Sequence, residues 1–272
     1  MDRTAWESLP PDLREAVEQH LGPVVKAEPV REGRRSAFAA TLHTTTGRLF
    51  LKGSPDSDAK AMEQLAREAA LAPYIAGAVA PALLLDQHTA GWRILAFDHV
   101  AGHRASYSPG SPDVAQAVET LATLDEITVP AAVPLMRFEA RWSSFTPATR
   151  HLGELAGSAL LHTDLNPGNI LVGAGTATLV DWGMASCGAA FVNPCDLVIN
   201  LIAGGHDPRA AESAVADLDA WQAAAPDTID YYARTVAIAW LEAFWNIRHP
   251  WANAVVRAAQ RWALHRRDHC RG

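Results

Sequence analysis

Between residues 161 and 183 the chain alternates short apolar runs with short polar turns, and few folds accommodate that order. Leu161 runs into His162-Thr163-Asp164-Leu165-Asn166-Pro167-Gly168-Asn169; Ile170-Leu171-Val172 follows, and after a second apolar run at Leu179-Val180 comes Asp181-Trp182-Gly183. Apolar runs this short, bounded by Gly, Pro, Asn and Asp, read as buried strands. The turns between them carry two carboxylates and a carboxamide, those of Asp164, Asp181 and Asn169. Such residues ordinarily satisfy turn backbone groups; their order and strand flanks here favour chemistry instead.

That oxygen set suits a divalent cation and a phosphate. Mg²⁺ takes hard oxygen ligands, usually one or two protein carboxylates completed by phosphate and water. Asn169 and Asp181 could supply such oxygens, which leaves Asp164 as a base. A hydroxyl attacking a phosphoryl group needs a proton acceptor and an in-line aim, because this chemistry is mostly positioning and charge neutralisation. An ionised Asp164 does both, and His162 reads as a structural residue that holds the loop.

The pattern His-x-Asp-x-x-x-x-Asn, followed by Asp-x-Gly after a strand, resembles the catalytic and metal-binding loops of the protein-kinase-like fold. Written as HTDLNPGN with DWG, it is similar to the aminoglycoside phosphotransferase family and related small-molecule kinases. That family usually has Gly where this chain has Thr163. A protein kinase is disfavoured, since Asn193-Pro194 follows Asp181 closely, with no long activation segment ending in Ala-Pro-Glu.

Composition narrows the partners. A net charge of -7 over 272 residues leaves no basic excess to neutralise nucleic-acid or membrane phosphates, so neither is expected as a partner. The cysteines, Cys187, Cys195 and Cys270, match neither a zinc site nor a disulfide framework and fit a reducing compartment. The N-terminus lacks a basic region followed by an apolar one, and the apolar stretch 69–85 is broken by Pro73, Gly77 and Pro81. A cytoplasmic protein is the expectation.

Ahead of the central stretch, 10–21 has helical spacing, and 24–30, 37–43 and 48–53 read as an antiparallel meander. The turn between the first two strands, Arg31-Glu32-Gly33-Arg34-Arg35-Ser36, serves equally well as an ordinary hairpin turn or, through Gly33 and Ser36, as a phosphate cover. Lys52 closes the third strand and could bind phosphates. A helix over 57–76 follows, capped by Ser57 or Asp58, with Met62, Leu65, Ala69 and Ala72 inward. Strands at 82–86 and 92–97 lead to Asp98-His99-Val100-Ala101-Gly102.

Beyond residue 100 the pattern gives helices over 113–126, 137–145, 147–155, 193–202 (Asn193 as cap, Pro194 first), 208–221, 228–247 and 251–267. Trp240, Phe244 and Trp245 read as core. Asp196, Asp207, Glu212, Asp217, Asp219, Asp227, Asp230 and Glu242 face only Arg209 and Arg234 in the same interval. They are either a solvated helix face or a pocket that draws in a cationic acceptor.

The resemblance implies an α+β, two-lobed protein-kinase-like fold, with a small antiparallel β-sheet lobe over 1–99 and a larger, mainly helical lobe over 100–272. It implies Mg²⁺ and ATP or GTP as cofactors, with Asp164 catalytic and Asn169 and Asp181 on the metal. Lys52 would steady the phosphates, and Glu68, in Arg67-Glu68-Ala69-Ala70-Leu71, is favoured over Glu63 to hold it. Gly33 and Ser36 would cover the phosphates, and the backbone of Asp98, His99 and Val100 would meet the adenine. Asp196 resembles an aspartate that ties a helix to the catalytic loop. The implied reaction moves the γ-phosphoryl group to a hydroxyl of a small molecule. An aminoglycoside or another hydroxylated antibiotic, cationic acceptors included, leads; choline, homoserine, a sugar or a nucleoside is the alternative, as is a catalytically silent kinase-like binding protein.

Overall fold

Alternation along one strand decides the architecture of the first half. The computed structural model describes residues 3–30, 36–142, 152–244 and 250–269. They divide into two units, one holding residues 1–101 with 132–134 and 180–183, the other the remainder.

In the first unit, α1 (Pro11–Leu21) is followed by β1 (Val24–Pro29), β2 (Phe38–Thr44), β3 (Arg48–Pro55), α2 (Ala59–Ile75), β4 (Leu83–Thr89) and β5 (Trp92–Asp98). The strands form one antiparallel sheet in the order β1-β2-β3-β5-β4. Leu49 and Leu51 of β3 join Phe38, Leu42 and Ile94 in a core closed by Trp6, Leu9, Leu13 and Val17. Phe50 packs into a second cluster with Leu65, Met62, Leu95 and Phe97. With period 2 along a strand, Lys52 falls on the side of Phe50, where α2 lies. Asp58 caps α2 by accepting from the Ala61 N–H at 3.0 Å. Gly53 is needed where β3 meets β5, since a Cβ there would stand 2.5 Å from the Arg93 carbonyl oxygen.

The second unit contains β6 (His103–Arg104), α3 (Asp113–Asp125), β7 (Met136–Arg137), α4 (Phe138–Trp142), β8 (Ala159–Leu161), β9 (Ile170–Gly173), β10 (Thr176–Leu179) and β11 (Ser186–Gly188). Helices α5 (Val192–Ala203), α6 (Pro208–Val215), α7 (Asp219–Gln222), α8 (Pro226–Phe244) and α9 (Pro250–His269) complete it. Two small sheets, β10-β9-β6 and β7-β11-β8, carry the loops of interest. Helix α5 is buried from Val192 to Ile202, as its apolar sequence requires. No described helix is long and apolar enough to cross a membrane.

Several expectations are corrected. The helix expected over 208–221 is two, because Leu218 is extended and its carbonyl starts a new turn at Trp221. Over 137–145 the chain first makes the two-residue β7 and then α4. Most of 147–155 lies outside the described residues, and Leu152–Leu155 is a 3₁₀ turn. Asn193 is not the cap of α5, which begins earlier with Phe191 in that place. Trp240 and Phe244 are half-buried and pack ring to ring at 6.1 Å, while Trp245 lies outside the described residues.

Candidate active site

The first unit brings Lys52, Glu68 and Asp181 together. Lys52 Nζ stands 2.6 Å from Glu68 Oε2 and 2.9 Å from Asp181 Oδ1. Glu68 Oε1 in turn accepts from the Trp182 N–H at 3.2 Å. Glu68 comes from the third turn of α2, so helix and strand together fix the pair; Glu63 is not the partner. Arg67, the neighbour of Glu68, donates to the Gly183 carbonyl at 2.6 Å and to the Pro134 carbonyl at 3.2 Å. Gly183 itself sits where a Cβ would come 3.1 Å from the Gln64 side chain. The Asp-Trp-Gly turn is therefore clamped to α2 through main-chain groups on either side of Trp182.

Burial works to lower the Lys52 pKa, but Asp181 and Glu68 outweigh it and raise it, so the ammonium is firmly charged. Burial and Asp181 push Glu68 upward against the pull of Lys52. One ammonium faces two carboxyl groups. The oxygen-only donor set around it fits a hard divalent cation sharing Asp181. Among the described residues no cluster of three or more His, Cys, Asp or Glu side chains could hold a metal alone. Mg²⁺ does not need one, since phosphate and water complete its shell.

Of the expected phosphate cover, Gly33 lies outside the described residues and Ser36 is half-buried just before β2. Asp98 ends β5 with its N–H already given to the Ala82 carbonyl at 3.0 Å. An adenine edge at this link would have to use the Asp98 carbonyl or the backbone of His99 and Val100.

The second unit builds the loop around Asp164. Asp164 is half-buried, and its Oδ1 accepts from Asn166 Nδ2 at 2.8 Å. Asn166 Oδ1 accepts from the Gly168 N–H at 2.9 Å, making the cap of the 3₁₀ turn Pro167–Asn169. Asn169 Nδ2 donates to the Asp164 carbonyl at 3.0 Å, so the carboxamide oxygen is the end suited to a cation. Tyr107 Oη supports the loop from below by donating to the Leu165 carbonyl at 3.1 Å.

The tie between α5 and this loop is Asn193, in the first turn of the helix. Its Oδ1 accepts from the His162 N–H at 3.1 Å, and its Nδ2 donates to the Leu160 carbonyl at 2.9 Å. Asn193 thus mimics a strand partner for β8 from inside the helix. His162 is fully buried, a poor place for a base that must meet a dissolved acceptor. Asp196, expected to make this tie, instead accepts from Tyr232 Oη.

Burial pushes the Asp196 carboxyl up to about 7, against Tyr232 and Arg141, which lower it, and with Asp164, which raises it. A raised folded-state pKa means that the stability from the protonated form is complete below the ordinary carboxyl pKa of about 4. That stability is lost as pH rises through about 7. Asp196→Asn should therefore gain on the parent as pH rises from 5 to 8, by about 2 kcal/mol at the upper end. Urea unfolding at the two pH values measures it.

The acidic stretch divides. Glu212 accepts from Trp262 Nε1 at 2.6 Å and from Arg266 Nη1 at 3.2 Å. Asp230 accepts from Arg266 Nε at 2.5 Å. Asp207 caps α6 through the Ala210 N–H at 3.0 Å. With Asp196 on Tyr232, these carboxylates serve the fold, and Asp217, Asp219, Asp227 and Glu242 are exposed.

No family model matches the chain, and no curated protein sequence does. Solved structures match along nearly the whole length. An aminoglycoside phosphotransferase from Alicyclobacillus acidocaldarius superposes with a TM-score of 0.63 at 14% identity, covering 98% of this chain and 99% of that one. The choline kinase LicA from Streptococcus pneumoniae gives 0.63 at 11% identity over 93% and 98%. A choline/ethanolamine kinase family protein from Mesorhizobium loti gives 0.57 at 17% identity over 94% and 95%. The chain has the α+β fold of the protein-kinase-like small-molecule kinases, the fold of these aminoglycoside phosphotransferases and choline kinases.

Proposed function

We propose that this protein is a small-molecule kinase that moves the γ-phosphoryl group of ATP or GTP to a hydroxyl of its acceptor. The observation that carries the proposal is the buried Lys52 ammonium held 2.6 Å from Glu68 and 2.9 Å from the Asp181 carboxylate. A lysine fixed this way is a rigid point charge for nucleotide phosphates. The Asp164 loop supports the same proposal, because Asn169 fixes its main chain and Asn166 orients, through Oδ1, the half-buried carboxylate that would accept the proton. In this proposal Asp164 orients the acceptor hydroxyl and takes its proton, while Ser36 and Gly33 cover the phosphates and the backbone of Asp98, His99 and Val100 meets the base. Asn169 and Asp181 would hold Mg²⁺, which when bound neutralises charge on the β- and γ-phosphates.

The leading acceptor is an aminoglycoside or another hydroxylated antibiotic. A metabolite such as choline, homoserine, a sugar or a nucleoside is the second reading. It is favoured by the commitment of Asp196, Glu212 and Asp230 to Tyr232, Trp262 and Arg266, which takes three of the eight carboxylates away from a polycation. A panel of antibiotics and metabolites with an ADP-release readout separates the two. Turnover on an aminoglycoside supports the first; turnover confined to a metabolite replaces it with the second.

A further inference from the structure

Thr163 precedes Asp164 with φ at 62°, inside the left-handed region that favours glycine. For a β-branched residue this is an uncommon and strained conformation, which persists only where surrounding contacts over-determine it. Those contacts are present. Thr163 Oγ1 donates to the Met184 carbonyl at 2.7 Å and accepts from Arg141 Nη1 at 2.5 Å. Arg141 Nη1 also lies 3.4 Å from both the Met184 carbonyl and Ser186 Oγ, and Ser186 Oγ donates to the same carbonyl at 3.2 Å. The guanidinium is anchored by α4, whose first residue, Phe138, is buried and stacks on Tyr232 at 6.4 Å. One hydroxyl and one guanidinium therefore join α4, the loop after β8 and the lead-in to β11.

We infer that Thr163 and Arg141 form a clasp that positions Asp164, fixing its approach to the acceptor hydroxyl. The inference rests on the proposed role of Asp164 as proton acceptor. A glycine at 163 would reach the same φ without strain but would leave the loop other conformations. Thr163 restricts the loop through two hydrogen bonds, one to the Met184 carbonyl and one from Arg141. Both residues are positioning residues, since each acts through Asp164.

The test uses the full chain, with MgATP hydrolysis as the turnover assay, water standing in for the acceptor, and hydrogen exchange of peptides spanning 160–170. Thr163→Val keeps the shape and removes the hydroxyl. It should lower kcat by about tenfold or more while KM for MgATP stays within about twofold. Exchange in 160–170 should quicken by about tenfold, with β3 peptides unchanged. Thr163→Ser restores the hydroxyl and should bring both readouts back to within about threefold of the parent. Arg141→Ala combined with Thr163→Val should be no worse than the more damaged single variant, because both break one clasp. A Val variant with parental kcat and parental exchange overturns the clasp. Asp164→Asn separates the two levels: if it turns over like the parent, the role of Asp164 fails and the clasp's catalytic purpose with it. If it is inactive while Thr163→Val is parental, the clasp alone fails.

Discussion

Asp164→Asn is expected to lower kcat by about 10³-fold while changing the Kd for MgATP by no more than about threefold. The substitution is nearly isosteric. An amide oxygen at the Oδ1 position can still accept from Asn166 Nδ2, and the main-chain carbonyl still accepts from Asn169 Nδ2. Loop and metal-side carboxamide should therefore stay in place. What disappears is the basic carboxylate, and with it the acceptor for the hydroxyl proton in a reaction otherwise driven by alignment and charge. Turnover by ADP release and nucleotide binding by calorimetry measure the two effects separately. An Asn variant retaining more than about a tenth of parental kcat would remove Asp164 from the mechanism.

Legibility in the sequence followed the range of the interactions. Lys52 and Glu68 were found because a strand of period 2 and a helix of period 3.6 each leave a trace in the chain, and the resemblance said which acid to choose. The structure brings both to Asp181, with Nζ to oxygen distances of 2.6 and 2.9 Å. Asn193 was misread because an Asn followed by Pro at a helix start has an ordinary local explanation. Its actual partners, the Leu160 carbonyl in β8 and the His162 N–H just after it, lie more than thirty residues earlier and leave no local signal. Arg141 and Tyr232 escaped notice for the same reason: an arginine and a tyrosine in helices have no spacing that announces a distant Thr163 or Asp196. The short strands β6, β7 and β8, of two or three residues, are below the length at which alternation can be recognised.

Two of these residues, Asn193 and Arg141, share a position as well as a cause, and Tyr107 shares it with them. Asn193 grips the strand entering the Asp164 loop, Tyr107 Oη holds the Leu165 carbonyl within it, and Arg141 holds Thr163. In the proposed mechanism the motif residues supply the chemical groups and their neighbours the geometry, each neighbour through a hydrogen bond to a main-chain atom or to Thr163 beside Asp164. A motif can therefore be legible in the chain while the hydrogen bonds that hold its loop stay unreadable from spacing alone.

The second large effect concerns the buried lysine. Lys52→Met should destabilise the fold by about 3–5 kcal/mol, because it removes the cation from a site where Glu68 and Asp181 remain. Turnover should fall by at least about 10²-fold, as the phosphates lose a fixed positive charge. Adding Glu68→Gln to Lys52→Met distinguishes the two roles. Glu68 is 4% exposed, and once neutralised it no longer needs a counter-charge, while an amide oxygen at its Oε1 can still accept from the Trp182 N–H. The double variant should recover most of the lost stability in urea unfolding and none of the lost turnover. Recovery of stability without activity marks Lys52 as both the counter-ion that allows Glu68 to be buried and the phosphate ligand. A double variant as unstable as the single one would mean that the burden on the fold comes from Asp181 or from packing around the lysine stem rather than from an uncompensated Glu68.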